Sequence, residues 1–386
     1  MKEKSQFEKN AADKQVELLS EALNGAVSAG GHWLNATGKG YPKFYPKGVA
    51  VSPFNALFMA LHSDKTGSKT NLFTLYSEAK ARGESVREHE KGVPFLFYNW
   101  NKYVNRNNPN DIISRNDYLQ LSSEEKNQYK GIHNREIRTL FTIDQTLLPL
   151  VDKNIYEMLL QKYGNSVEQG FGEKELRELR PRFKAFVQAI SKNMMPIRTD
   201  GSGVAHYDSQ KDAIYIPRQK DFEHYTDYVQ ETLRQIIAAT GHQQRLAREG
   251  MVMKNGVPPT EDAVKQEHLI SEIASGIKML EMGLPARLSD ENIKMVDYWS
   301  RELKENPNLI DAIESEVNNA LEVIRKAERG EKIEYATYRN HQQTERMQGQ
   351  MPKHFFVANE IKKHPDKDNK TIVLVCLLYT SPSPRD

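Results

Sequence analysis

The stretch RQIIAATGHQQRL, residues 234–246, raises the question of metal chemistry. A zinc-binding helix of the H-E-x-x-H type carries two histidines four positions apart, which hold the metal, and a glutamate that activates water. At the corresponding positions stand Arg234, Gln235 and Ala238. Arginine offers no lone pair to a metal, glutamine cannot accept and return a proton, and alanine has no donor atom. These residue types therefore exclude H-E-x-x-H chemistry on this helix.

A second group of residues could bind nucleic acid. In NLFTLYSEAKARGESVREHEKGVPFLFY, residues 71–98, four cations surround a Gly-bounded turn between two predicted strands: Lys80, Arg82, Arg87 and Lys91. The aromatic residues Phe73, Tyr76, Phe95 and Phe97 are interleaved with them. Cations that follow phosphates, beside aromatics that stack on bases, are typical of sequence-tolerant binding to single strands. Alternating aromatics in strands more often form core, and we assign Phe95 and Phe97 there.

The charge is unevenly distributed along the chain. Residues 36–115 hold 12 Lys and Arg against 6 Asp and Glu, a balance of 12 − 6 = +6, whereas the whole chain has a net charge of +2. The remainder is therefore net −4 (2 − 6). A basic first third indicates an anionic partner. A Lys-rich, solvated loop surface explains the charge equally well, and charge alone leaves both readings open.

Composition restricts the class of protein. The chain has 386 residues, 38% hydrophobic and 27% charged, which indicates a folded protein of more than one domain. No segment approaches the ~20 apolar residues that span a bilayer. The N-terminal MKEKSQFEKNAADK contains no apolar signal region, so we expect a cytoplasmic location and no membrane partner. Residues 1–375 contain no cysteine, which excludes disulfides and thiol chemistry from them.

The last residues, CLLYTSPSPRD (376–386), differ in character from everything before them. They can be encoded by the sequence of a transposase adapter used in sequencing libraries. We therefore expect this segment, with Cys376, to be a read-through artefact, and the natural chain to continue beyond Val375.

The elements that position these residues follow from periodicity. We expect a helix over 5–29, a short helix opened by Pro53, strands at 71–75, 94–98 and 139–143, and a polar excursion over 99–135. Helices over 152–163 and 173–193 and a β-hairpin over 204–217 follow, and then long helices at 222–240, 260–282, 289–305 and 307–329. The fold class is α+β, a small mixed domain followed by a mainly helical one. The first domain is predicted to span residues 1–150 and the second domain residues 151–330. A linker and the start of a further region are predicted at 331–375, and the artefact at 376–386.

The first domain resembles the N-terminal domain of ArdC-type antirestriction proteins over roughly residues 30–146. The resemblance rests on Asn55 in an N-A-L helix start and on Thr74 in a strand before the helix that contains Lys80. It also rests on a V-R-x-x-E-K-G turn at 86–92 and on an F-x-x-x-Q-T motif at 141–146 that ends the domain. In that family this domain binds single-stranded DNA. The resemblance and the cation pattern together give a predicted DNA-binding set of Trp33, Asn55, Thr74, Tyr76, Lys80, Arg82, Arg87 and Lys91. For Trp33 a place in the core is an equally good reading.

The second domain is similar to the zincin-like metallopeptidase domain of the same family. The family's hairpin motif matches at Tyr207, Asp212, Ile214 and Pro217. Its T-G-H-x-x-R-L segment matches from Thr240 to Leu246, and its third metal ligand corresponds to Glu272. The two histidines and the glutamate of the metal helix are replaced by Arg234, Gln235 and Ala238. We therefore expect no metal cofactor. We also expect that Arg234 pairs with Glu272 across the vacated position and that His242 serves as a helix-end hydrogen-bonding residue.

Two functions from different classes remain after these steps. The first is a single-stranded DNA-binding antirestriction protein of a mobile element, associated with conjugation, with a catalytically inactive zincin-like domain and with host restriction machinery as a further partner. The alternative is an active zinc metallopeptidase with an unorthodox ligand set. The sequence does not specify the oligomeric state, the DNA site size or the restriction systems affected.

Overall fold

The predicted α+β architecture is confirmed in the computed structural model, which describes residues 6–35, 40–164, 173–201, 203–253, 256–306 and 308–333. The predictions for the linker beyond residue 333, for a strand at 371–375 and for the adapter-like segment lie outside the described residues. Among the helices described, none is long and apolar enough to cross a membrane.

The first half of the chain builds a six-stranded mixed sheet of order β3-β2-β4-β7-β5-β6. The helices and strands of this half of the chain are α1 (Gln6–Ser28), β1 (His32–Leu34), β2 (Lys43–Phe44), β3 (Val49–Ala50), α2 (Pro53–Lys65), β4 (Leu72–Leu75), α3 (Tyr76–Ala81), β5 (Val93–Asn105), β6 (Ile112–Ser114), α4 (Arg115–Gln120), α5 (Ser123–Lys126), β7 (Tyr129–Thr142), α6 (Leu148–Val151) and α7 (Lys153–Tyr163). Each of the three predicted strands overlaps one of the central strands β4, β5 and β7.

The prediction of a polar excursion over residues 99–135 is wrong, because these residues form strands and short helices. Strands β5 and β7 continue as a long antiparallel hairpin as far as the pair Asn105 and Tyr129, and β6, α4 and α5 fill the connection between them. Polar composition hides these strands because a ribbon that faces water needs little apolar alternation. The hairpin is thus an ordered extension of the sheet.

The sheet curls around an aromatic core. Phe44 on β2 and Phe95 on β5 have ring centroids 5.1 Å apart, although β4 and β7 lie between their strands in the sheet. Neighbouring strands are about 4.8 Å apart, so a flat sheet would hold these rings roughly 14 Å from each other. Phe97 continues the cluster, with its centroid 4.5 Å from that of Phe95. Phe95 is buried, as predicted, whereas Phe97 is half-exposed.

The second half is mainly helical. It contains α8 (Glu173–Asn193), β8 (Ile197–Thr199), β9 (His206–Asp208), β10 (Ala213–Ile216), α9 (Tyr225–Thr240), α10 (Glu261–Glu281), β11 (Ala286–Arg287), α11 (Asp290–Glu305) and α12 (Leu309–Arg329). The predicted hairpin is β9–β10, and β8 adds to it in parallel. The four long helices begin and end within about three residues of their predicted limits, the ordinary uncertainty of boundaries read from sequence.

The N-terminal segment packs against the second half of the chain. Strand β1 pairs with β11, and α1 packs on α11. The amide of Leu288 donates to the carbonyl of Gly31 at 2.8 Å. The guanidinium of Arg287 donates to the carbonyl of Gly30 at 2.6 Å. One buried core therefore includes residues from both halves, and the domain limit at residue 150 stays a prediction.

Trp33 on β1 lies directly on the backbone of α10. It is 4% exposed, and a Cβ atom added at Gly276 would lie 2.4 Å from its Cζ2 atom. Glycine lowers helix stability because it has the largest backbone freedom to lose, so its place in the middle of α10 needs a reason. The close approach of the indole ring supplies that reason.

We expect Gly276→Ala to lower the free energy of unfolding by about 1–3 kcal/mol, because the added methyl group overpacks against Trp33. The matched control is Gly25→Ala, in the last turn of α1, where an added Cβ atom meets nothing within 4 Å. That change should raise stability, by less than the roughly 0.5–1 kcal/mol expected in the middle of a helix. Urea unfolding of both variants measures the difference, and equal effects of the two changes would contradict the packing described.

Candidate functional site

Two long helices face each other where the sequence analysis placed a vacated metal site. Helix α10 begins at a Thr260 N-cap, whose hydroxyl accepts from the amide of Ala263 at 3.2 Å. Helix α9 is buried from Val229 to Thr240, because apolar residues surround most of its second half. Arg234 on α9 and Glu272 on α10 project into the space between the helices and are 5% and 0% exposed.

Arg234 binds Glu272 through two parallel hydrogen bonds, which confirms the predicted pair. Nε donates to Oε2 at 3.1 Å and Nη2 donates to Oε1 at 3.2 Å. Nη1 donates to Glu231 Oε2 at 3.1 Å, and Nη2 also contacts the carbonyl oxygen of Arg287. The planar guanidinium suits this two-pronged contact with a carboxylate. A permanent positive charge therefore ties α9 to α10.

Three further side chains donate to the Glu272 carboxylate. They are the indole of Trp33 at 3.2 Å, the amide of Gln230 at 3.3 Å and the amide of Asn292 at 2.8 Å. Asn292 also accepts from Nδ1 of His268, at 3.3 Å, and burial lowers the pKa of His268 to about 4. Glu272 thus accepts from four side chains on three elements, β1, α9 and α11. A carboxylate that accepts this many hydrogen bonds is satisfied without a metal ion.

Glu231 adds a second buried carboxyl group to the same cluster. Its Oε1 accepts from the side-chain amide of Gln235 at 3.0 Å, and its Oε2 accepts from Arg234. Burial raises the pKa of Glu231, and the charge of Arg234 only partly offsets that effect. Gln235, which stands where a water-activating glutamate would be needed, is 0% exposed and used in this internal contact.

The family motif residues that are retained form a separate structural clamp. The hydroxyl of Tyr207 donates to Asp212 at 2.7 Å, and Arg245 donates to Asp212 at 2.9 Å and to the Tyr207 oxygen at 3.1 Å. Nε of Arg245 also donates to the carbonyl of Ala239, at 2.7 Å, near the end of α9. Burial opposes ionisation of Asp212, but the Arg245 guanidinium lowers its pKa below the usual value. The clamp holds the hairpin against α9 and requires no metal.

His242 belongs to this clamp and not to a metal site. Its Nε2 contacts the carbonyl of Ser209 at 3.1 Å, and its Nδ1 accepts from the amide of Gln244 at 3.3 Å. These partners assign the ring as the neutral Nε2–H tautomer. Burial, followed by the nearby Arg245 charge, lowers its pKa to about 4. Both ring nitrogens are used, as expected for a hydrogen-bonding residue at a helix end.

A second buried ion pair, not predicted from the sequence, joins the loop after α9 to α10. Arg248 donates to Glu267 from Nε at 2.8 Å and from Nη2 at 2.6 Å, and both side chains are 2% exposed. Arg248 also donates to the hydroxyl of Thr240 at 2.6 Å. The only signal in the sequence was that Thr240 begins the T-G-H-x-x-R-L segment that matches the family. This pair fixes the end of α9 on the start of α10.

The residues at the vacated position do not fit a catalytic metal. Such a site needs about three protein ligands, and here a cation stands at the first ligand position and an alanine at the second. Throughout the described parts of the chain, no group of three His, Cys, Asp or Glu side chains is arranged to hold a metal ion.

Three residues of the predicted DNA-binding set are buried, and a fourth, Arg82, is half-buried. Trp33 is buried on α10, and Asn55, 2% exposed, exchanges two hydrogen bonds with the backbone of Leu96 at 2.8 and 2.9 Å. Arg82 donates to Thr74 and Glu84, each at 2.9 Å, and lies over the Tyr45 ring. We correct the expectation for these residues, Trp33, Asn55, Thr74 and Arg82, because internal contacts use the groups that DNA would need.

The other four residues of the set face solvent on consecutive elements. Tyr76, 52% exposed, begins α3, and Lys80 is exposed near its end. Arg87 and Lys91 are exposed in the turn before β5, where Arg87 pairs with Glu90 at 2.6 Å. Gln145, part of the F-x-x-x-Q-T motif but given no role from the sequence, fixes this turn. Its side chain donates to Glu90 at 3.0 Å and to the carbonyl of Lys91 at 2.9 Å.

Comparison with known protein families gives one match in each half of the chain. Residues 9–142 match the family model of the N-terminal domain of the anti-restriction factor ArdC, and residues 182–314 match that of a zincin-like metallopeptidase. Both matches occur in the predicted order on one chain. The chain belongs to the ArdC-type antirestriction family.

Two solved structures share the fold of this ArdC-type chain. The metal-free crystal structure of the antirestriction ArdC protein from plasmid R388 is 21% identical, with a TM-score of 0.54, and the match covers 82% of this chain and 98% of that one. The Mn(II)-bound structure of the same protein is 20% identical, with a TM-score of 0.53, and the match covers 81% and 97%. No curated protein matches the chain.

We expect Arg234→Ala to lower the free energy of unfolding by about 3–5 kcal/mol, because it leaves two buried carboxyl groups without their shared cation. Adding Glu272→Gln to this variant should recover part of the loss, because it removes one of the stranded charges. Arg218→Ala is the matched control: it breaks an exposed pair with Asp221 and should change stability little. Strictly additive effects of Arg234→Ala and Glu272→Gln in chemical denaturation would show that the two residues do not interact.

Proposed function

We propose that this ArdC-type protein binds single-stranded DNA through its N-terminal sheet domain and that its zincin-like domain serves as a scaffold without peptidase activity. In this proposal the protein is carried on a mobile element, acts in the cytoplasm during conjugation, and protects transferred DNA from the host restriction machinery. The support for DNA binding and the support for the absence of catalysis come from different residues.

The observation that carries the DNA-binding part is the solvent-facing set on α3 and the following turn. Tyr76 offers a ring for base stacking, and Lys80, Arg87 and Lys91 offer charge for phosphates. They lie in the segment whose balance is +6, and Lys80 and Lys91 have no ionic partner among the described residues. Internal hydrogen bonds from Gln145 hold the turn in place, so the cations are presented on a fixed backbone.

The observation that carries the non-catalytic part is the pair between Arg234 and Glu272. A catalytic zinc ion needs a ligand with a lone pair where Arg234 now stands, and its water needs a base where Gln235 now stands. A guanidinium repels a divalent cation. The site is also closed, because β1 and Trp33 cover Glu272 and leave it 0% exposed.

The alternative, a metallopeptidase with an unorthodox ligand set, would have to use Glu272 with His268. His268 directs Nδ1 to Asn292, and Asn292 donates in turn to Glu272, so the two candidates are joined through an amide. Recruiting them to a metal would break this chain of hydrogen bonds and leave Arg234 unpaired from Glu272. The observed arrangement therefore favours the scaffold.

We expect neither Mn(II) nor Zn(II) to change the melting temperature of the full chain or to bind it stoichiometrically. A metal that bound the folded state at 100 times its dissociation constant would stabilise it by about 2.7 kcal/mol. Thermal unfolding with each ion and with a chelator, together with metal analysis, measures the effect. One zinc per chain that disappears in Glu272→Gln would contradict the non-catalytic proposal.

We expect the full chain to bind single-stranded DNA with little sequence preference and with strong salt dependence. Changing Lys80, Arg87 and Lys91 together to Ala should reduce the slope of log K against log salt by about 2, because each lost phosphate contact contributes roughly 0.7. The matched control changes the exposed Lys220, Lys294 and Lys304 of the second domain to Ala. Fluorescence anisotropy over a salt series is the measurement, and equal slopes for both variants would remove this surface from the proposal.

A further inference from the structure

The long hairpin beyond the curled sheet forms a second exposed unit, which we call the hairpin arm and define as residues 102–132. It contains the ends of β5 and β7 past the irregularity between Asn99 and Lys102, together with β6, α4 and α5. Helix α4 packs on β5 and β6. The arm lies in the segment where the polar excursion was expected, and no part of the proposed function uses it.

One face of the arm is covered by α4. Tyr103 lies opposite Ile113 and Gly131 in the strand register, so these residues share a face. The ring of Tyr118 on α4 stacks on Tyr103, with centroids 3.7 Å apart and planes within 3° of parallel. Asp111 and Tyr129 belong to the same face by alternation and are joined by a hydrogen bond of 2.7 Å.

The opposite face is open and carries two lysines. Lys102 lies opposite Ile132, and Lys130 lies opposite Val104, which makes the two lysines diagonal neighbours on adjacent strands. The backbones of such diagonal neighbours are about 7–8 Å apart across the two strands. Both lysines are exposed, and Ile112, opposite Val104, is 51% exposed. Two like charges on neighbouring strands repel each other, and an anion between them would relieve that repulsion.

The acidic residues of the arm do not supply that anion. Asp111 accepts from Tyr129 and from Asn105, on the covered face. Asp117 accepts from the hydroxyl of Ser114 at 2.7 Å, and Glu125 accepts from the amide of Ser122 at 2.8 Å; both complete helix caps. No ion pair of Lys102 or Lys130 occurs within the described residues, so the open face has unneutralised positive charge.

We propose that the open face of the hairpin arm is a second contact for the phosphate backbone of single-stranded DNA. This inference rests on the proposed DNA-binding function and extends it to residues outside α3 and its turn. Lys102 and Lys130 would contact phosphates. The exposed apolar side chain of Ile112 would meet a base or sugar, which a single strand can turn toward the protein because its bases are not confined to a duplex.

The test compares two variants of the full chain. Lys102→Ala with Lys130→Ala removes the proposed contact, and Lys294→Ala with Lys304→Ala removes two exposed lysines from α11 as the matched control. Each protein is titrated with a labelled oligodeoxythymidylate of about 30 nucleotides, longer than the site of roughly 4–16 nucleotides expected for one groove. Thermal unfolding verifies that both variants keep the fold.

We expect the arm variant to bind more weakly than wild type and to lose about 1.4 from its salt slope, two phosphate contacts at roughly 0.7 each, while the control keeps the wild-type slope. Wild-type affinity and slope in the arm variant, in a protein that still responds to the changes at Lys80, Arg87 and Lys91, would overturn the arm and leave the proposed function intact. A wild-type chain that does not bind the oligonucleotide would overturn the proposed function and the arm together. An equal loss with a duplex of the same length would overturn the assignment to single strands.

Discussion

The ion pair between Arg234 and Glu272 is the interaction on which the second half of this protein depends. Helices in zincin-like folds must be held together across a polar centre, and a buried carboxylate there needs a compensating positive charge. In this chain the charge belongs to a side chain and is always present, because arginine does not lose its proton in proteins. The fold therefore keeps its polar centre without depending on the supply of an ion.

The residues of the family's motifs near this pair fall into two groups with different roles. The residues that match the family, Tyr207, Asp212, His242 and Arg245, connect the hairpin to the end of α9 and are structural. The residues that depart from it, Arg234, Gln235 and Ala238, are those that would touch a metal or its water. The chain thus differs from the motif at these three positions, while the clamp residues keep the contacts that support the helix. The match of the zincin-like family model covers both groups of residues.

Periodicity was sufficient for the long helices and for the hairpin at β9–β10, and the resemblance to the zincin-like family predicted the pairing of Arg234 with Glu272. They failed where the direction of a side chain decides its role. Thr74 and Arg82 stand in a basic, aromatic segment, but they bind each other, because the end of α3 brings the half-buried Arg82 back to β4. Gln145 was visible as part of a family motif, but its role was not, because the turn that it holds lies about 55 residues earlier in the chain. The strands of the hairpin arm were hidden because exposed ribbons need no apolar alternation.

The pairing of β1 with β11 also affects the order in which the chain folds during its synthesis. His32 pairs with Arg287, 255 positions later (287 − 32). At translation rates of about 5–20 residues per second, the first strand must wait roughly 10–50 s after it is made before its partner exists. During that interval the ring of Trp33 and the part of α1 that packs on α11 lack their native partners, whereas α2 and β5, which also pack on α1, are already made. The earliest part of the chain is therefore among the last to reach its final position, and a chaperone that shields α1 on the ribosome would act at the step where aggregation is most probable.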